Sequence, residues 1–259
     1  MDNCRYTGSL DDAPRLADHL TSRGFAAQPA KEKASALAQC ARALQSTANP
    51  NALRAYWVPG RIEVLGKHTD YAGGSSLVAA AEQGFCLVFA GTEESQVVVS
   101  DVVRNETITF SVSPDMTVPA GHWSNYPMTV ARRMARNFPG PWRGVRIALA
   151  SDLPPAAGMS SSSALMIAIF HALADVNDVW NHPAYPPQLS DPVQLAAYLA
   201  TIENGQSYGD LKGDRGVGTF GGSEDHTAIL CARRGGVRQY AYCPVRFQRD
   251  LPLPDGHVF

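Results

Sequence analysis

Apolar and polar positions alternate with changing period along the chain, and the period predicts the elements. Residues 11–23 and 30–45 read as two helices; in the first, Leu16 and Leu20 share a face and Gly24 follows the end. Residues 53–58 form a short strand candidate stopped by Pro59-Gly60. Residues 61–65 alternate polar and apolar before a polar loop, 66–74. Residues 75–81 then turn apolar, and 85–90 have the character of a buried strand. Two more strand candidates follow at 97–103 and 107–112, the second with Ile108, Phe110 and Val112 on one face. Residues 125–137 look helical and carry Met128, Ala131 and Met134 toward a core. Residues 145–150 are a strand leading into a serine-rich loop.

Beyond that loop an apolar run, 165–170, continues into Ala172, Leu173 and Ala174 as a helix. Residues 182–187 are a Pro-rich surface loop. Asp191 is then placed to cap a helix with Pro192 at its first position, running to about Glu203. Residues 237–242 read as a strand. No internal repeat is present. Strands first, then strands mixed with helices, predict an α+β domain.

Composition narrows the function classes. The 259 residues are 45% hydrophobic and 18% charged, with a net charge of −2. That balance argues against a general nucleic-acid binder, and no basic run suggests one. No apolar run reaches membrane-spanning length, and the first residues are polar and acidic, unlike a signal peptide. Five cysteines, Cys4, Cys40, Cys86, Cys231 and Cys243, lie far apart without a C-x-x-C. They fit a reducing, cytoplasmic setting with buried or inert thiols.

The densest candidate chemistry is Leu153-Pro-Pro-Ala-Ala-Gly-Met-Ser-Ser-Ser-Ser-Ala164. Pro154 and Pro155 keep the approach extended, and Gly158 permits a tight turn. A serine at the helix start can cap it. The first N–H groups there lack intrahelical acceptors, so small side chains leave room for a phosphate. A well-capped buried helix is the other reading. No G-x-x-x-x-G-K-[ST] occurs, and Gly216-Val-Gly-Thr-Phe-Gly221 lacks the preceding strand of a dinucleotide fingerprint.

Two further constellations stand out. The first packs Arg61, Lys67, His68 and Asp70 into ten residues between apolar segments. Arg61 suits charge on a transferring phosphoryl group, and His68 and Asp70 suit hydroxyls; a solvated turn is the alternative. The second is Gly221-Gly-Ser-Glu-Asp-His226, before an apolar run. There Asp225 suits a hydroxyl proton, or else simply favours a helix dipole. Glu224, Asp225 and His226 lack zinc-ligand spacing. Glu203 is a candidate Mg²⁺ contact through oxygen, with solvated surface as its rival.

In this order the three stretches resemble the GHMP kinase superfamily, most closely its galactokinase branch. Pro59-Gly-Arg-(x)₄-Gly-Lys-His-Thr-Asp-Tyr-(x)-Gly-Gly74 is similar to that branch's sugar-binding signature. The serine loop is similar to the superfamily's ATP-binding loop, and Gly222-Ser-Glu-Asp225 falls where galactokinases carry the catalytic Asp. The resemblance spans roughly residues 53–243. It implies an ATP-dependent kinase with a ribosomal-protein-like mixed sheet packed with helices. It implies Asp225 and Arg61 as catalytic, and Arg61, Lys67, His68, Asp70, Gly222 and Asp225 as sugar-binding. It implies Gly158, Met159, Ser160, Ser161, Ser162 and Ser163 as the ATP cradle, with Ser162 and Glu203 holding Mg²⁺. The implied partner is a small sugar, phosphorylated at C1, rather than nucleic acid or membrane.

Several features depart from that branch. Lys67 stands where galactokinases usually have Glu, replacing an acceptor with a donor and opening the way to another monosaccharide or a sugar acid. The Asp motif, usually Met-Asp-Gln, reads Glu224-Asp225-His226, and residues 207–216 look like an insertion. Galactokinases also run well past this length. The expected layout is a helical extension, 1–50, a GHMP-type N-terminal domain, 51–243, and the start of a truncated C-terminal domain, 244–259. The competing functions are a kinase for another small alcohol, such as mevalonate or homoserine, and a sugar- and ATP-binding sensor without turnover.

Overall fold

A computed structural model describes residues 6, 8–49, 52–154 and 157–253. It is a mixed α+β structure whose chain divides into two units, with two of the divisions falling inside β1 (Arg54–Leu65) and β2 (Ser75–Gly91).

The first unit holds α1 (Ala13–Ser22), α2 (Ala27–Leu44), β3 (Gln96–Asp101), β4 (Glu106–Ser111), β5 (Val145–Ser151) and the later part of β2. β3 pairs antiparallel with β4 and parallel with β5, and β5 pairs antiparallel with β2. Register sets Cys86 opposite Ala150 and Val88 opposite Ala148. Those four, spaced by two along their strands, present one face, and Leu16, Leu37, Cys40, Ala41 and Leu44 of the two helices cover it. α2 begins three residues before the expected start because Pro29 sits in the first helical turn, where no intrahelical N–H donor is needed. Lys33 on α2 is buried against the Phe25 and Trp57 rings and reaches Asp152 at 3.2 Å.

The second unit holds α3 (Asn125–Asn137), α4 (Ser161–Val176), α5 (Pro192–Asn204), α6 (Glu224–Cys231), β6 (Gly236–Ala241) and β7 (Arg246–Pro252). β6 pairs antiparallel with the first part of β2 and with β7. α4 is apolar all round and packs among α3, α5 and α6, so nearly every side chain from Ser163 onward is buried. Phe170 meets Trp180 and Tyr198 edge-on, at 5.7 and 6.0 Å between centroids. Asp191 caps α5 as expected, accepting from the Val193 N–H at 2.8 Å.

Three strand expectations are corrected. Pro59-Gly60 does not end a strand: β1 runs through it from Arg54 to Leu65. Its ladder partner is β2 alone, and an edge strand tolerates a residue without an N–H. β2 likewise runs unbroken through Glu82-Gln83-Gly84. A side chain at Gly84 would meet the Val58 carbonyl oxygen at 2.2 Å, so glycine there marks a close strand approach and not a turn. β7 was not anticipated; its residues are mostly exposed and show no apolar alternation.

α3 buries Arg132, Arg133 and Asn137 beside the expected Ala131 and Met134, while Met128 is only half-buried. These polar groups hold the segment that reads as an insertion. Arg132 pairs with Asp214 at 2.6 Å, Arg133 donates to the Gln206 carbonyl at 2.8 Å, and Asn137 donates to the Lys212 carbonyl at 3.1 Å. Among the described cysteines, Cys40, Cys86 and Cys231 are buried free thiols, but Cys243 is exposed. The expected strand at 255–259 and the extended Pro155 lie outside the described residues.

Candidate active site

Arg61 sits on β1, where the strand's alternation turns it inward, and it is 6% exposed. Its guanidinium joins all three motifs. Nε donates to Asp225 Oδ1 at 2.6 Å, and Nη1 donates to the Gly158 carbonyl at 2.6 Å. Nη2 faces Glu63 Oε2 at 3.6 Å, and the Arg61 N–H donates to the Met159 carbonyl at 3.1 Å. One buried cation thus fixes the serine loop and the Asp motif against the first strand.

Asp225 lies in the first turn of α6. Burial pushes its carboxyl up, but the Arg61 guanidinium and hydrogen bonds from Ser160 and Arg61 outweigh it, so the acid sits below its ordinary 3.8. Asp225 is therefore ionised at neutral pH. Glu224, just before it, is fully buried, and desolvation followed by the neighbouring Glu63 and Asp70 raises it to about 8. Asp70, in a 3-10 turn over Asp70–Ala72, is buried and accepts from the Glu224 N–H at 3.0 Å. It caps the start of α6 from a distant point in the sequence.

Gly222 owes its identity to that cap. A Cβ there would lie 2.2 Å from Asp70 Oδ2. Gly222→Ala is expected to displace the carboxylate and cost about 1–3 kcal/mol, read as a lower midpoint in thermal unfolding. An unchanged midpoint would mean that Asp70 does not brace α6.

The serine loop differs from its expected form. Ser160 precedes α4 in the left-handed region, φ 53°, and its side chain makes no cap hydrogen bond. The hydroxyls point elsewhere: Ser162 donates to Glu203 Oε1 at 3.2 Å and Ser163 to Oε2 at 2.8 Å. The Ser160 hydroxyl is turned to the Asp225 carboxylate instead, a charge-assisted bond. Glu203 also faces His226 Nε2 at 3.5 Å. His226 is buried, and desolvation holds it below its ordinary value although Glu203 and Asp225 pull the other way, leaving a neutral imidazole.

A cavity of about 200 Å³ opens over this arrangement, lined among others by His68, Asp70, Ser162, Glu203, Gly222 and Asp225. Arg61 stands behind Asp225 and does not line it. Gly158, Met159, Ser160, Ser161 and Ser163 lie outside its lining as well, with Gly158 and Ser161 exposed. Lys67 is exposed and does not line it either. Glu63, Glu224 and His226 were not singled out individually from the sequence. Glu63 had a usable signal, since two residues after Arg61 on a strand it must share that residue's face. The other two sit beside Asp225 and were weighed only as a metal cluster.

The profile of the galactokinase galactose-binding signature matches residues 46–90, and that of the GHMP kinase N-terminal domain matches residues 125–213. A galactokinase of Glaesserella parasuis serovar 5 (strain SH0165) is 34% identical over 113 residues, 44% of this chain and 29% of that protein. One of Actinobacillus pleuropneumoniae serotype 5b (strain L20) is 30% identical over 119 residues, 46% of this chain and 31% of that protein. These matches span about three tenths of the relatives' length. The crystal structure of Lactococcus lactis galactokinase complexed with galactose superposes with a TM-score of 0.66 at 20% identity, over 82% of this chain and 50% of that one. A putative sugar kinase of Campylobacter jejuni gives 0.58 at 17% identity, over 80% and 58%. The chain thus matches a galactokinase galactose-binding signature and a GHMP kinase N-terminal domain, and its fold is similar to that of galactokinase.

Proposed function

We propose that the chain is the ATP- and sugar-binding part of a galactokinase-like enzyme that transfers the ATP γ-phosphoryl group to a monosaccharide hydroxyl, at C1. The observation that carries this reading is the Arg61 guanidinium bridging Asp225 and Gly158, which sets the base-or-orienter candidate beside the phosphate-loop candidate. In the proposed layout residues 51–243 form the catalytic N-terminal domain and 1–50 an extension. An ATP-dependent reaction and free thiols suit a cytoplasmic protein.

In this reading Asp225 accepts a hydrogen bond from the attacking sugar hydroxyl. Its lowered pKa makes it a weak base, so it orients the nucleophile and steadies developing positive charge more than it removes the proton early. Arg61 holds Asp225 and the Gly158 loop in place for the transfer. His68 and Asp70, at the cavity wall, take sugar hydroxyls; Asp70 Oδ1 is buried without a hydrogen-bond partner and so has acceptor capacity to spare. The uncapped first turn of α4, preceded by Gly158 to Ser160, offers free N–H groups to phosphate oxygens.

The oxygen donors of Ser162 and Glu203 fit Mg²⁺, and both line the cavity. When bound there, Mg²⁺ would supply positive charge against the phosphate groups. Ser163 keeps the Glu203 carboxylate oriented from behind.

Calorimetric titration with galactose, arabinose and a uronic acid, each with and without Mg-ATP, tests the reading. Saturable binding of Mg-ATP and of one sugar is expected; binding of neither contradicts it. Lys67→Glu is expected to shift preference toward galactose by about tenfold, roughly 1.4 kcal/mol, in the same titration. Unchanged preference would remove Lys67 from the specificity account.

A further inference from the structure

A cluster of possible ligand atoms adjoins the Arg61 centre. One ligating atom from each of Glu63 on β1, His68 in the following loop and Glu224 at the start of α6 lies within 4.8 Å of the other two. Glu224 is fully buried, yet neither of its carboxylate oxygens receives a hydrogen bond. Glu63 Oε2 lies 3.6 Å from Arg61 Nη2. A buried carboxylate without donors is costly unless a cation or proton meets it. Arg61 is committed to Asp225 and Gly158. Two carboxylates and an imidazole are a donor set for a borderline divalent ion, with bonds of about 2.0–2.2 Å. In a tetrahedral site ligands at that radius stand about 3.4 Å apart, so the cluster closes on an ion with side-chain shifts of up to about 1 Å. His68 is half-buried and lines the cavity, which provides a route in.

We propose that Glu63, His68 and Glu224 bind one divalent transition-metal ion, Mn²⁺ or Zn²⁺, at a site separate from the all-oxygen pair Ser162 and Glu203. Three protein ligands leave a further coordination position for water. The ion ties β1 and the His68 loop to the first residue of α6, and so positions the neighbouring Asp225. This inference does not depend on the proposed kinase reaction, and its test uses neither nucleotide nor sugar.

The test is titration of the whole chain with Mn²⁺, followed by electron paramagnetic resonance with pulsed detection of nitrogen coupling, and a parallel Zn²⁺ titration by calorimetry. One ion with nitrogen coupling is expected. His68→Ala, at a half-exposed position that the fold does not need, is expected to remove the coupling and weaken binding by about tenfold or more. Glu224→Gln is expected to weaken it similarly, while Glu203→Gln keeps the nitrogen-coupled ion. No saturation by either metal below about 1 mM overturns the proposal. So does nitrogen coupling that survives His68→Ala, or an ion lost only in Glu203→Gln. A Glu224→Gln protein that is more stable with unchanged metal affinity also overturns it, in favour of a proton shared between Glu63 and Glu224.

Discussion

Asparagine in place of Asp225 is expected to lower sugar-dependent ATP turnover by about 10²–10⁴-fold while the unfolding midpoint stays close to the parent's. Asparagine keeps an oxygen to accept from Arg61 Nε, so the bond that holds the motif together survives in neutral form. What disappears is the negative charge facing the attacking hydroxyl. The pH dependence follows from the same pair. The folded-state acid lies below 3.8, so the ion pair's contribution to stability is present above the unfolded value and is lost as pH falls through the folded one. Titration of Asp225 therefore leaves the rate flat from neutrality down to the ordinary carboxylate range. A rate profile with Asp225 as its controlling group near pH 6 would contradict the Arg61–Asp225 geometry, as would an asparagine variant within a few-fold of the parent.

Phe170→Ala is expected to carry the largest cost in stability, about 3–5 kcal/mol. Phe170 is fully buried on α4, and its ring meets His171, Trp180 and Tyr198 edge-on. Removing the ring leaves a cavity bounded by large, constrained aromatics that cannot collapse into it. At about 2–4 °C per kcal/mol for a chain of this size, the midpoint falls by roughly 10 °C. Leucine at the same position is expected to cost less than alanine, since it refills part of the volume. The consequence reaches the site, because α4 carries Ser162 and Ser163 in its first turn. A loss below about 1 kcal/mol in thermal or denaturant unfolding would show that α4 is not the packed axis of its unit.

The sequence made the helices legible where apolar positions recur at helical spacing, as in α3, or where a cap is local, as at Asp191. It misled at Pro59-Gly60 and at Gly84. Both carry turn chemistry, and only the pairing of β1 with β2 reveals it as strand geometry. The three motifs pointed to residues that the fold brings together around Arg61, but their connections were not legible. A hydroxyl that looks like a local cap turned to Glu203, 40 residues away, and Asp70 capped a helix 154 residues away. Burial of charge was equally hidden. Nothing in the string Ser-Glu-Asp-His distinguishes a solvated helix start from a fully buried Glu224 and His226, since that depends on what packs over them.

In the proposed reaction a phosphoryl group passes from ATP to a sugar at the Arg61–Asp225 centre. Its most direct measurement is the appearance of label in a sugar phosphate after incubation with Mg²⁺, γ-labelled ATP and galactose or the sugar that titration selects. The account predicts labelled sugar phosphate with the parent chain, dependent on sugar and magnesium, and nearly abolished in Asp225→Asn. Measurable binding of ATP and sugar without any labelled product would contradict it and leave a ligand-binding protein in place of a kinase.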